Sequence, residues 1–453
     1  MLKESCKHRD IAAENDEKRD RHHENVAQPR LATLFSLASL VLATNLALAQ
    51  NPPSATAPYQ ISTFAQGVTG TYTQPDSIAV LGGRIFIGYG NGVAKDGSDN
   101  GSSTIVEYRT DGSLVQMLSV KGHNDGLKIN PSTGALWALE NEDGNPSLVI
   151  IDTATGLQTT YSFETTEHGG GYDDIVFRNG SIFISASNPG SNPNTAPAIV
   201  SATLVGRMVQ TNAVLAGNAT ALDIPTNQPT TLNLQDPDSM ILAPNGDILL
   251  DSQDDAELII VQHAGEGAQR VLHLPFSSGG MQAKADDTII ATSSDGFLLV
   301  SDLNANTVYR VDSPYWPNGA AYTAAIANSV GLVGQLDFLT GNLTPVVSGL
   351  TNPRGMAFVL SEADRSTIGV LDATYGASCG APTGNVTADL VAMCGGLSSC
   401  SYTVDYHRLG DPAPNCWKNY SARWQCGLDP TIYSVAAPGE AGFGSVVTLS
   451  CGR

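Results

Sequence analysis

Five stretches of this chain share one pattern: an aspartate, a small or polar residue, a short apolar run, a turn that usually carries glycine, and a second apolar run. They are QPDSIAVLGGRIFIGYG from Gln74, HNDGLKINPSTGALWALEN from His123, YDDIVFRNGSIFISASN from Tyr172, DPDSMILAPNGDILLDSQ from Asp236 and ADDTIIATSSDGFLLVSD from Ala285. Aligned on Asp76, Asp125, Asp173, Asp238 and Asp287, they recur at spacings of 49, 48, 65 and 49 residues. After each of the first four comes a more exposed hairpin, such as STIVEYRTDGSLVQML or SLVIIDTATGLQTTYSF. A four-stranded unit of this kind cannot bury both of its faces alone, so copies must stack around an axis. A period of 40–50 residues is the signature of a β-propeller. Turn signals such as TDG, PNGD and TGN punctuate the whole region 59–360, and no stretch sustains a helical period over three turns.

A sixth inner-strand start, NPRGMAFV from Asn352, places Arg354 in the aspartate register. Six inner strands predict six blades. The stretch YQISTFAQ is expected to close the ring by completing the last blade. Residues 313–350 do not divide cleanly, so seven blades stays open. This region is similar to the NHL/gluconolactonase-type propeller superfamily. The resemblance rests on repeat texture, and fold similarity alone does not carry function.

If each inner strand begins at its aspartate, Asp76, Asp125, Asp173, Asp238, Asp287 and Arg354 gather at one mouth of the central channel, with His123 just ahead of an inner strand. Converging carboxylates could hold Ca²⁺ or another divalent cation through oxygen ligands, bind a polyol, or supply a general acid and base. An aspartate before a small residue can equally cap its own turn. His168, in EHGGGYDD, has a similar position before an inner strand. No G-x-S-x-G, H-E-x-x-H or P-loop motif occurs, so no catalytic signature is present and the reading leans away from an enzyme.

The ends of the chain differ from this middle. LATLFSLASLVLATNLALA, Leu31–Ala49, follows Arg30 without a charge and ends in Ala47-Leu48-Ala49, the order of a secretory signal. Residues 1–49 are therefore expected to be removed, with 50–58 a linker, the mature protein secreted or periplasmic, and no membrane span left in it. Six of the seven cysteines lie in the last 75 residues, at 379, 394, 400, 416, 426 and 451, with no C-x-x-C pair. In an exported chain that density reads as a disulfide framework and not a zinc site. The net charge of -21 leaves nothing to neutralise phosphates and excludes a nucleic-acid partner.

Within residues 361–453, the apolar run into Asp372-Ala373-Thr374-Tyr375-Gly376, the Cys394-x5-Cys400 loop, the Gly410-Asp411-Pro412 turn, Lys418 with Tyr420, and a strand ending at Trp424 and Cys426 occur in order. This order resembles the SUEL-type galactose/rhamnose-binding lectin domain. The resemblance implies a small disulfide-stapled α/β module that binds a galactose- or rhamnose-type sugar without a cofactor, through Asp372, Tyr375, Asp411 and Lys418. Carboxylates would accept hydroxyl bonds there and Lys would donate them. It also implies a Cys394–Cys400 bridge. If the C-terminal SVVTLSC replaces the family's leading strand, Cys451 pairs with Cys379 and Cys416 with Cys426. The family's YGR is Tyr375-Gly376-Ala377 here, and the DPC turn is three residues longer. The combined expectation is a mainly β, exported carbohydrate-binding protein: a lectin-like module joined to a ligand- or partner-binding propeller. A metal-dependent propeller enzyme (lactonase, hydrolase or sugar oxidoreductase) and a non-catalytic interaction scaffold are the alternatives.

Overall fold

The computed structural model describes residues 52–361, 367–427 and 431–451. The expected export segment, 1–49, lies outside them. The chain forms six four-stranded antiparallel blades and a separate C-terminal module. Blade 1 runs in chain order through Pro75–Leu81, Arg84–Tyr89, Ser102–Arg109 and Leu114–Lys121. Blade 2 follows with Asn124–Ile129, Leu136–Glu140, Ser147–Ile151 and Gln158–Phe163. Blade 3 is Ile175–Arg178, Ser181–Ser185, Pro197–Val205 and Met208–Ala216. Blade 4 is Pro237–Leu242, Ile248–Ser252, Glu257–Gln262 and Arg270–Pro275. The long spacing between Asp173 and Asp238 is filled by an extra hairpin, Thr220–Asp223 and Gln228–Thr231, that pairs in parallel with the outer strand of blade 4.

The last two blades exchange strands. Met281–Ile290, the inner strand of blade 5, pairs with Ala321–Ala327 and not with the strand that follows it. Val330–Leu336 and Leu343–Leu350 complete that blade, and Ser54–Ala55 adds a short fifth strand. Gly296–Asp302 and Thr307–Asp312 instead cross to blade 6, whose inner strand is Pro353–Leu360 and whose outer strand is Gln60–Gln66. The N-terminal strand thus closes the ring as expected, and residues 313–350, which do not divide as a repeat, belong to blade 5. The hairpin expected over 285–302 does not form. Trp316, fully buried, fastens the crossing: it packs on Tyr59, Tyr322 and Phe358, and its indole N–H donates to the Gly296 carbonyl at 2.9 Å. The expected linker 50–58 also contributes structure, through Ser54–Ala55.

Six hydrophobic clusters fill the six gaps between blades. Each inner and second strand therefore buries alternate side chains in two different clusters, which is why these strands read as near-continuous apolar runs. Inner strands neighbour one another around a closed circle. Their close approach needs glycine at Gly126, where a Cβ would lie 1.8 Å from the Asp173 carbonyl oxygen of the next blade. Gly126→Ala is accordingly expected to cost about 3 kcal/mol by forcing blades 2 and 3 apart. Chemical denaturation checks it, and an unchanged midpoint would contradict the close approach.

The C-terminal module has its own core, including Tyr375, Leu390, Tyr402, Tyr420 and Leu449. Ile368–Tyr375, Tyr420–Cys426 and Tyr433–Ala437 form one sheet, Ser399–Asp405 and Phe443–Ser450 a second, and Thr387–Cys394 the main helix. Three disulfides staple it: Cys394–Cys400, Cys379–Cys416 and Cys426–Cys451. The expected Cys379–Cys451 and Cys416–Cys426 pairs are not formed. The C-terminal strand pairs with Ser399–Asp405, not with the edge of Ile368–Tyr375, and this delivers Cys451 to Cys426. Cys379 lies in a short helical turn tied to the 416–419 segment by Ser378 Oγ to the Trp417 carbonyl, 3.1 Å.

Arg423 joins the module to the propeller. It pairs with Asp372 at 2.6 Å and donates to the carbonyls of Pro131 and Ser132 in blade 2. Among the described residues no helix is long and apolar enough to cross a membrane.

Candidate functional site

The register of the inner strands slips at the acidic position. Irregularities fall between Pro75 and Ile78, Asn124 and Leu127, Pro237 and Met240, and Ala285 and Asp287, and beside Arg354 in blade 6. A bulge inserts an extra residue that leaves the ladder and re-aims its side chain. Here it turns one polar side chain toward the axis in each of five blades, while in blade 3 the ladder is regular and Asp173 lies just ahead of it. Asp76, Asp125, Asp173, Asp238, Asp286 and Arg354 form the resulting ring. Burial, then the charges of Asp125 and Asp286, push the Asp76 carboxyl well above the usual range. Burial and neighbouring carboxylates do the same to Asp173 and Asp238. Asp286 is raised by burial against the pull of Arg354, with which it is paired. Gln253 donates to Asp286 at 2.6 Å.

Asp287 is not the ring residue. It stands one step deeper, where its Oδ2 accepts the Met356 N–H at 2.7 Å. Asp174 makes the matching bond to the Met240 N–H at 2.8 Å. Backbone capping thus falls to the second acid of each Asp-Asp pair, and the first acid faces the channel. The shared signal was Tyr172-Asp173-Asp174 beside Ala285-Asp286-Asp287, which aligns Asp286 with Asp173. Lys128 of blade 2 pairs with Asp174 at 2.8 Å and lies near enough to Asp287 to oppose the rise in its pKa.

Two further side chains, Lys95 and Glu142, reach the mouth from loops, where repeat alignment carries no signal, and stand beside His123. Lys95 pairs with Glu142, and the field of Asp125 raises it against burial. His123, Asp125 and Glu142 present donor atoms within 4.8 Å of one another, a spacing that donors around a single divalent cation can adopt. Burial lowers the His123 pKa, so its ring is neutral. Nδ1 lies 3.0 Å from the Val93 carbonyl, which requires the N–H on Nδ1 and leaves a lone pair on Nε2. Buried polar atoms without a partner include Asp287 Oδ1, Glu140 Oε2 and Arg354 Nε. His168 is elsewhere, with Nε2 2.5 Å from the Gly171 carbonyl and its ring against Tyr172.

Of the four residues expected to bind sugar on the C-terminal module, Asp411 and Lys418 pair with each other and lie near enough to the Tyr375 hydroxyl to bear on its pKa, whereas Asp372 stands apart. Asp372 and Tyr375 are three apart on one strand and therefore face opposite sides of the sheet. Asp372 faces the propeller and is held by Arg423, whereas Tyr375 is buried in the module's core. Lys418 spends its ammonium on Asp411 at 2.9 Å and on the carbonyls of Ala413 and Cys416 at 2.9 and 2.8 Å. This set braces the lengthened 411–416 turn.

No family model and no curated protein matches the chain. Solved structures that are similar include a protein of unknown function from Bacteroides caccae (12% identity, TM-score 0.41, covering 65% of this chain and 89% of that one). The periplasmic gluconolactonase of Pseudomonas aeruginosa is similar at 10% identity and TM-score 0.40, covering 67% of this chain and 99% of that one. Virginiamycin B lyase from Staphylococcus aureus is similar at 10% identity and TM-score 0.36, covering 62% and 85%.

Proposed function

We propose that the protein is an exported, ligand-binding propeller that holds a divalent cation at the channel mouth. Together with Arg354, Lys95 and Gln253, the cation would bind a small polyhydroxylated or anionic molecule of sugar type. The observation that carries this reading is the ring itself: five buried carboxylates face one another, with two cationic side chains beside them. Asp76, Asp173, Asp238 and Asp286, all raised by burial, stay ionised at neutral pH only if more positive charge is brought in. His123, Asp125 and Glu142 are the donors that would hold the ion, and the orphaned oxygens of Asp287 and Glu140 mark an unsatisfied acceptor field below them. Three disulfides support an oxidising compartment. The sugar-type ligand is assigned to this mouth and not to the Asp372, Tyr375, Asp411 and Lys418 set.

Calorimetric titration of the chelator-treated chain with Ca²⁺, Mn²⁺ and Zn²⁺ tests the reading. One of the three should bind at a single site, at least about tenfold more weakly in Asp125→Asn, because one charged donor is lost. No heat and no thermal stabilisation with any of them would end it. A second reading, a cation-dependent hydrolase, is favoured by Asp236, whose carboxyl burial raises to about 6, toward the range a general base needs. Turnover of a lactone and ester panel, lost in Asp236→Asn with cation still bound, would establish that reading.

A further inference from the structure

At the end of the channel remote from the acidic ring, the C-terminal module and the propeller enclose a cleft of about 960 Å³. Its floor is the far ends of the inner strands, including Phe177, Ile241, Leu242 and Ile290, and its roof includes Leu371 and Val391 of the module. These side chains are only half-buried or exposed, Leu242 at 41%, although they lie between two packed bodies. A volume of this size at the junction of two folding units, with mainly apolar walls, is the usual form of a small-molecule site.

The walls also define what fits. The two charged groups that border the cleft are already committed. Arg178 donates to the Gly246 carbonyl and pairs with Glu266, each at 2.8 Å, and Asp372 is paired with Arg423. None of the unpartnered buried side-chain atoms among the described residues lines the cleft, in contrast to the acidic end. A ligand here would find mainly apolar surface to cover, uncharged groups such as Asn130, Ser181 and Thr292 beside it, and no charge to neutralise.

We propose that this cleft is a binding site for an uncharged aliphatic chain, of the kind carried by a long-chain alcohol or a neutral lipid. It is separate from the mouth site: the Lys128–Asp174 pair lies between the two ends of the channel. Burying the chain against both walls would also bind the module to the propeller, since each body supplies half of the surface.

The test uses the full chain and N-phenyl-1-naphthylamine, an uncharged apolar fluorophore. Wild-type protein should take it up saturably at one site, and 1-dodecanol should displace it. Leu242→Arg, on the floor, and Val391→Arg, in the roof, should each weaken uptake at least about tenfold while circular dichroism stays unchanged. Should either variant fail to fold, photolabelling of the wild type with a diazirine-bearing dodecanol decides, because it should mark peptides around both residues 241–244 and 371–391. Absent saturable uptake, uptake unchanged in both folded variants, or labelling confined to other peptides would overturn the proposal.

Discussion

Raising the pH from about 5 to about 8 in the presence of a chelator is expected to lower the melting temperature of the propeller, and saturating divalent cation is expected to restore it. Burial raises the Asp287 carboxyl from 3.8 to about 7, and Asp236 to about 6. A carboxyl raised on folding imposes no penalty below its unfolded value, near 4, where both states hold the proton. Between about 4 and 7 the unfolded chain releases that proton while the folded one keeps it, so stability falls as pH rises and levels off above 7. For Asp287, 5% exposed, the loss is on the order of 4 kcal/mol. Asp76, Asp173, Asp238, Asp251 and Glu140 shift in the same direction, so they steepen the fall. Asp287→Asn keeps an oxygen for the Met356 N–H and should remove part of the slope. Calorimetry across this range checks it. A chelated protein equally stable at both ends would show that the carboxylates are compensated without a cation.

Replacing Cys379 and Cys416 together by serine is expected to melt the C-terminal module and leave the propeller transition in place. The bridge closes a loop of 37 residues, and its chain-entropy contribution is about 4 kcal/mol, against about 2 kcal/mol for the six-residue Cys394–Cys400 loop. A module of this size has little apolar core to compensate. The separate cluster around Tyr402 and Tyr420 makes the two transitions distinguishable. Non-reducing peptide mapping checks the pairing itself. A Cys379–Cys451 peptide, or a double variant that melts like the wild type, would contradict the observed connectivity.

Much of this architecture was legible before folding. The repeating aspartates at 76, 125, 173 and 238 and the arginine at 354 all reach the mouth, because a repeat conserves its strand register in space. The outer hairpins of blades 1 to 4 and the closing strand Gln60–Gln66 were equally readable. Asp286 was passed over for Asp287, since in Ala285-Asp286-Asp287 either acid matches the pattern and only the bulge decides which one turns inward. Lys95 and Glu142 come from loops, where no period exists to place them. The tetrad of Asp372, Tyr375, Asp411 and Lys418 had the right order along the chain. Side-chain direction and the docking of Arg423 on Pro131 and Ser132 send its first member to the other side.

Local pattern therefore determined the class of fold and the acid at the head of most inner strands: alternation, turn residues and period are properties of neighbouring positions. Tertiary contact alone decided the strand exchange around Trp316, the partners of Cys379, Cys416, Cys426 and Cys451, and the cleft beneath the module. Each of these depends on which distant surfaces bury one another, and adjacent residues carry no record of that choice.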